Sequence, residues 1–304
     1  MGKGEPAPDS RPTPRRRRPR RQWSGLLFVL PALALYGAFI LYPAGRTVNL
    51  SFWKWDGVNP AVWRGLANYA DVATDPVLRG SILHALVLLL YFSALPVALG
   101  LVMAALLTRR RLRGLAAFRL VFFLPQILPL IAVGVVWRWV YAPDGLANQL
   151  LGLVGLDAGR AWLGEWDWAL PAIGLIGAWV QSGLCMMLFV AGAGRIDPAL
   201  YEAARLDGAD ARREFFAVTL PGLRAEIGLA LTVTVISALA SFDLVYITTS
   251  GSPGHQTDVP GLLVYQRLLA GDIGHAAALA VVLSGLVVLA AALTNRLATP
   301  RDGR

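Results

Sequence analysis

The stretch from Arg195 to Arg224 reads RIDPALYEAARLDGADARREFFAVTLPGLR, and its residue types suit gripping a partner better than making bonds. Asp197 before Pro198 predicts a helix start: the carboxylate can cap free N–H groups, and proline fits the first helical position. Leu200 to Leu206 then supplies good helix formers. Ala204, Gly208 and Ala211 recur at helical spacing, so they are expected to form a stripe of small residues that lets another surface approach the backbone. Gly208 can also end or bend the helix. Phe215, Phe216, Val218 and Leu220 form an apolar patch, and Pro221 is expected to stop the second helix. Read alone, such a segment could equally lie flat on a lipid surface.

Bond-making chemistry finds little support. The single cysteine, Cys185, excludes an internal disulfide and a cysteine zinc site, and no histidine lies near it in sequence to activate it. His84, His255 and His275 are far apart in sequence, so no metal site is expected. A phosphate-binding loop needs lysine followed by Ser or Thr, yet Lys3 precedes Gly4 and Lys54 precedes Trp55. No enzyme activity and no resident cofactor are expected, and any ATP must be held by another subunit.

What must position the 194–225 segment is membrane. Hydrophobic residues make up 56% of the 304, charged residues only 15%, and mean hydropathy is +0.55. A soluble domain carries about a quarter charged residues. Six stretches are long and apolar enough to span a bilayer: 23–45, 81–107, 119–141, 169–193, 226–248 and 275–296. No useful sheet-like alternation appears, so the expected fold is all-α, a polytopic helical bundle over 23–297.

Charge sets the expected orientation. The N-terminal tail, 108–119, 194–225 and the C-terminal tail hold 21 of the 28 Lys and Arg. The positive-inside rule then places both termini, and the 194–225 segment, in the cytoplasm. Residues 1–22, rich in Pro and Arg, read as a disordered cytoplasmic tail, and 298–304 as a second short tail. The run Arg15 to Arg18 reads as a topology signal facing anionic lipid, not as a nucleic-acid arm. Trp53, Trp55, Trp63, Tyr69, Trp162, Trp166 and Trp168 crowd the opposite loops, as an interfacial belt or as a docking surface.

The string Glu202-Ala203-Ala204-Arg205-Leu206-Asp207-Gly208, then Val218-Thr219-Leu220-Pro221 after nine intervening residues, resembles the EAA loop of binding-protein-dependent ABC permeases. FFLPQILP (Phe122 to Pro129) and FDLVYITTSGSP (Phe242 to Pro253) are similar to further stretches of that family, over about 25–297, closest to its sugar branch. Ser252 departs from the family's Gly-Gly-Pro, and the external insertion and two extra spans of the enterobacterial maltose permease are missing. The resemblance implies a six-span type I importer fold in a bacterial inner membrane. It also implies a second permease subunit, an ABC ATPase dimer and an extracytoplasmic solute-binding protein as partners. Glu202, Ala203, Ala204, Gly208, Ala209 and Pro221 would then meet the ATPase, with Glu202 offering charge and Gly208 close approach.

The solute should cross near the bilayer midplane, where a lipid-exposed polar group is costly. Position along the spans nominates Gln126, Gln181, Ser182, Ser237 and Ser241. Resemblance to the maltose permease implies Gln126, Trp179, Gln181 and Ser241 as pathway residues. For the glutamines an interhelical hydrogen bond is the alternative, and for Ser182 and Ser237 plain helix packing. Asp243 is the one acid well inside a span. A neutral sugar is the expected solute, since no arginine sits mid-span; a polyol or glycerol phosphodiester is the alternative. A secondary transporter is the rival class, and it would call for an internal repeat or coupling carboxylates deep in the membrane.

Overall fold

The computed structural model describes residues 23–108, 114–156 and 159–298. The basic tail at 1–22 and residues 299–304 of the short C-terminal tail lie outside the described residues. Residues through Arg46 and from Thr47 onward are two compact units. The first contains α1 (Trp23–Tyr36), a π-turn (Gly37–Leu41) and the beginning of α2 (Tyr42–Leu50). Phe28–Leu50 is long and apolar enough to span.

In the second unit the chain first makes a two-residue antiparallel pairing, β1 (Trp53–Lys54) with β2 (Val62–Trp63), where no strand was expected. After α3 (Ala67–Thr74), Asp75 caps α4 (Pro76–Leu89), its carboxylate accepting from Val77 N at 2.8 Å. A π-turn (Leu90–Ala94) joins α4 to α5 (Leu95–Thr108), so the second span starts earlier than expected, and Pro76–Leu107 runs as one 32-residue apolar helix. The π-turns at 37–41 and 90–94 each end two residues before a proline, Pro43 and Pro96. Proline has no N–H and its ring crowds the carbonyl four residues back; widening the previous turn by one residue accommodates both.

The third span is not straight. α6 (Leu115–Ile127) and α7 (Leu130–Val140) meet at 102°. Pro129 forces Leu128 into extended backbone (ψ 140°), and Pro125 has already removed one ladder donor. α8 (Leu146–Leu153) is a short helix in the next connection. α9 (Ala169–Ala193) forms the expected fourth span and lies at the centre, packed on α5 and α6. Leu88, Phe92, Ile173 and Ile176 form one core around it, and Met186, Phe189 and Leu223 another.

Between spans four and five come α10 (Pro198–Leu206), α11 (Ala211–Glu214), a third π-turn (Phe215–Thr219) ahead of Pro221, and α12 (Leu220–Gly222). α13 (Arg224–Leu239) then departs at 69°. The expected fifth span 226–248 is corrected in the same way as the third: α13 stops at Leu239 and α14 (Asp243–Thr248) begins after a break, packed on α7. Asp243 therefore sits in the first turn of a new helix, where its charge favours the exposed N–H groups, and not late in a continuous one. α15 (Pro260–Leu269) and α16 (Ile273–Ala298) complete the chain. Among the described residues, four helices can span a membrane alone, six if each bent pair is one span.

Six charged or titratable side chains tie the ends of α3, α15 and α16 together. His275 reaches Asp71 through Nε2 and Asp272 through Nδ1, both at 2.8 Å. Arg64 donates to Asp71 at 3.0 Å, and Arg267 bridges Asp75 and Asp272. The His275 hydrogen bond holds the Asp71 carboxyl below the usual range, with help from Arg64. Burial opposes the same shift at Asp272, but hydrogen bonds from His275 and Arg267 outweigh it. Depressed carboxyls stabilise the fold fully above about pH 4 and lose that contribution as pH falls through their folded values. The melting temperature of the purified protein should drop on acidification below about pH 4, and Asp71→Asn should flatten the drop. An equal drop in that variant would remove the clasp from the stability of this end.

Candidate functional site

α10 starts as its sequence dictates. Asp197 accepts a hydrogen bond from Ala199 N at 2.9 Å, and Pro198 occupies the first turn. Its end is set by Gly208, whose φ is +78°. Ala209 N donates to Ala204 O at 2.9 Å and Gly208 N to Arg205 O at 3.0 Å, the paired bonds of a Schellman cap. The cap overturns the expected small-residue stripe. Ala204 belongs to α10, Gly208 lies past its end and Ala211 opens α11, so the three share no helix face. Nor does Pro221 stop the second helix where it stands. Its missing N–H is absorbed by the π-turn before it, and the helix runs on to Gly222.

Glu202, Ala203, Gly208 and Pro221 are exposed, and Ala204 and Ala209 half-buried. A Cβ built on Gly208 meets nothing within 4 Å among the described residues. Leu200 and Leu206 also stand out, Leu206 by 89%. α10 therefore presents a charge, an open backbone turn and apolar tips on one short rod.

That rod is braced from behind by residues the sequence reading did not single out. Arg205 Nε donates to the buried Glu214 Oε1 at 2.7 Å, and the hydroxyls of Tyr201 and Thr219 lie 3.0 Å apart. Both contacts tie α10 to the helix that follows. A second ion pair, Arg195 to Glu226, closes the base where the loop leaves α9 and enters α13. A buried acid facing an exposed arginine across a loop leaves no periodic signal; only the excess of Glu and Arg in and beside this loop hinted at it.

The expected pathway residues do not share one surface. Trp179 and Gln181 are two residues apart on α9, about 200° around the helix. Trp179 is 41% exposed and meets Trp137 edge-on at 5.5 Å, while Gln181 is 5% exposed and turned into the bundle. Gln126 is half-buried near the end of α6, which packs on α9. Ser241 is buried in the break after α13. Among the described residues Gln126 Oε1 and Ser241 Oγ have no hydrogen-bond partner, and neither does Ser93 Oγ, buried in the π-turn of the second span. Ser93 was missed; the Pro96 that marks its π-turn was its one visible sign. Ser182 bonds Trp179 O at 2.8 Å and Ser237 bonds Val233 O at 3.0 Å, so both satisfy their own helices.

Residues 72–300 match the family described as the binding-protein-dependent transport system inner membrane component. Similar proteins include the probable ABC transporter permease protein YurN of Bacillus subtilis, 33% identical over 84% of this chain and 89% of that relative. The sulfoquinovosyl glycerol transport system permease protein SmoG of Agrobacterium fabrum is 33% identical over 91% of each. The diacetylchitobiose uptake system permease protein NgcF of Streptomyces coelicolor is 31% identical over 91% of this chain and 84% of that relative. Among solved structures, a bacterial ABC transporter involved in the import of the acidic polysaccharide alginate superposes with a TM-score of 0.77, covering 93% of this chain and 97% of that one, at 20% identity. The family match over residues 72–300, sequence identity along nearly the whole length and the same overall fold place this chain in the family of binding-protein-dependent inner membrane components, as a permease subunit of an ABC importer.

Proposed function

We propose that this permease carries a neutral sugar or sugar-like solute, received from an extracytoplasmic binding protein and moved by ATP hydrolysis in a separate ATPase dimer. The observation that carries the reading is α10: a braced helix whose charge, glycine turn and apolar tips stand exposed among the described residues. Glu202, Ala203, Ala204, Gly208, Ala209 and Pro221 form the surface offered to the ATPase. The arginine distribution supports a cytoplasmic position for that surface and for both termini. A second permease subunit pairs with this one. The chain does no chemistry of its own and carries no cofactor; ATP belongs to the partner.

That the solute is sugar-like is supported by relatives named for sulfoquinovosyl glycerol, diacetylchitobiose and lactose, the first of them a sulfonate; its neutrality here is supported by the lack of a mid-span arginine in the sequence. Trp179 suits such a solute, because an indole face offers an apolar platform to the C–H side of a sugar ring. It forms the wall of the pathway, with Gln126 and Ser241 supplying open hydrogen-bonding capacity and Gln181 supporting α9 from within the bundle.

The test is uptake by the complete complex in proteoliposomes, with ATP inside and loaded binding protein outside. Uptake of the sugar that binds that protein should require ATP and survive a protonophore. Trp179→Ala and Gln181→Ala should lower uptake, the first more than the second, while ATPase subunits still co-purify. Solute accumulation driven by a proton or sodium gradient without ATP would overturn the importer mechanism. Uptake of every tested sugar at the wild-type rate in both variants would remove α9 from the pathway.

A further inference from the structure

The segment gripped by the ATPase in the reading above must pass its movement to the membrane helices through two ends. One leaves α9 at Gly194; the other enters α13 at Arg224. We propose that Glu226 is the positioning residue that locks these two ends together, through Arg195, so that a displacement of α10 moves the fourth and fifth spans as one body. The proposal rests on the ATPase-coupled reading and adds the element that transmits it.

Three contacts meet at this base. Arg195, the first residue after the C-cap of α9, directs Nη2 onto Glu226 Oε1. Glu226 lies in the first turn of α13 with its side chain against the α9 backbone: a Cβ on Gly192 would stand 2.7 Å from Glu226 Cγ and Cδ. Beside it, a Cβ on Gly222 would stand 2.7 Å from Ile196 Cδ1. Residues 195 and 196 on the outgoing strand therefore touch residues on both sides of the 69° bend at Leu223.

The electrostatics make the lock depend on Arg195. Glu226 is 13% exposed and its Oε2 is buried without a hydrogen-bond partner, so the arginine is the charge that compensates it in this pair. Arg195 itself is 73% exposed. It can be changed without opening a hole in the core, yet its loss leaves the largely buried Glu226 carboxylate without its cation, which drives the two ends apart.

The experiment uses the whole complex with its ATPases and binding protein, reading ATP hydrolysis and solute uptake together. Arg195→Gln and Glu226→Gln are expected to keep solute-stimulated hydrolysis within about twofold of wild type and lower uptake by about tenfold, raising the ATP spent per solute. Arg195→Lys, which keeps the charge, should restore most of the coupling. If Arg195→Gln lowers hydrolysis and uptake in equal proportion, or leaves both unchanged, the proposal is overturned. A wild-type complex with no ATP-driven uptake overturns the underlying importer reading, and is thus told apart from failure of the lock.

Discussion

Gly208→Asp is expected to leave the protein in the membrane at its normal level while abolishing uptake and solute-stimulated ATP hydrolysis. Two effects of the substitution can be separated. Gly208 has φ +78°, a conformation that costs a residue with a side chain about 1–2 kcal/mol, and aspartate tolerates it better than most. That cost frays one Schellman cap; it does not unfold a loop tied down by Arg205–Glu214 and Tyr201–Thr219. The larger effect is expected outside the chain. Among the described residues nothing stands within 4 Å of a Cβ at Gly208, so in the proposed ATPase-coupled reading a carboxylate there would face the partner and hold it off. Gly208→Asn distinguishes the two, since asparagine accepts the left-handed conformation readily but still adds bulk. Both variants should lose at least about tenfold in uptake, the equivalent of about 1.4 kcal/mol of docking or more. Normal uptake by the asparagine variant would reduce Gly208 to a helix cap, and normal uptake by both would detach α10 from the ATPase.

Features decided by neighbours along the chain were legible. Asp197-Pro198 announced the start of α10, and the long apolar runs located the straight second, fourth and sixth spans. The break in the third span was written in Pro125 and Pro129, but a hydropathy window averages over a bend and reported one span. The break after Leu239 had no such mark: no proline or glycine lies between Ala240 and Asp243, and the tight seat of Ile247 on Gly134 is a tertiary contact. Gly208 misled for a clear reason. At helical spacing a glycine counts as a small face residue, and the same glycine is what ends the helix. Arg195 and Glu226 are 31 residues apart, and only the return of the chain after α10 brings them together.

Gly183→Val is expected to deplete folded protein from the membrane, and Gly183→Ala to lower its melting temperature by several degrees. α9 crosses α6 so closely here that a Cβ on Gly183 would lie 2.1 Å from the carbonyl oxygen of Phe122 and 2.9 Å from Phe123 Cα. The obstacle is backbone, with no flexible side-chain tip to turn away. At Gly177, elsewhere on α9, the Cβ would meet the ring of Phe92, a side chain and not backbone, though one packed in the core. Overfilling a packed core costs about 1–3 kcal/mol when side chains can shift. Moving a helix costs more, and for a chain of this size each kcal/mol lowers the melting temperature by about 1–2 °C. The displaced helix also carries Gln126 one turn beyond Phe122, so the surviving alanine variant should transport poorly even when corrected for amount. Gly285→Ala in α16 is the control, because a Cβ there meets nothing within 4 Å among the described residues, and it should melt with wild type or slightly above it. If Gly183→Ala also melts with wild type, α6 and α9 do not pack at this distance, and the close crossing on which the placement of Gln126 beside α9 depends is lost.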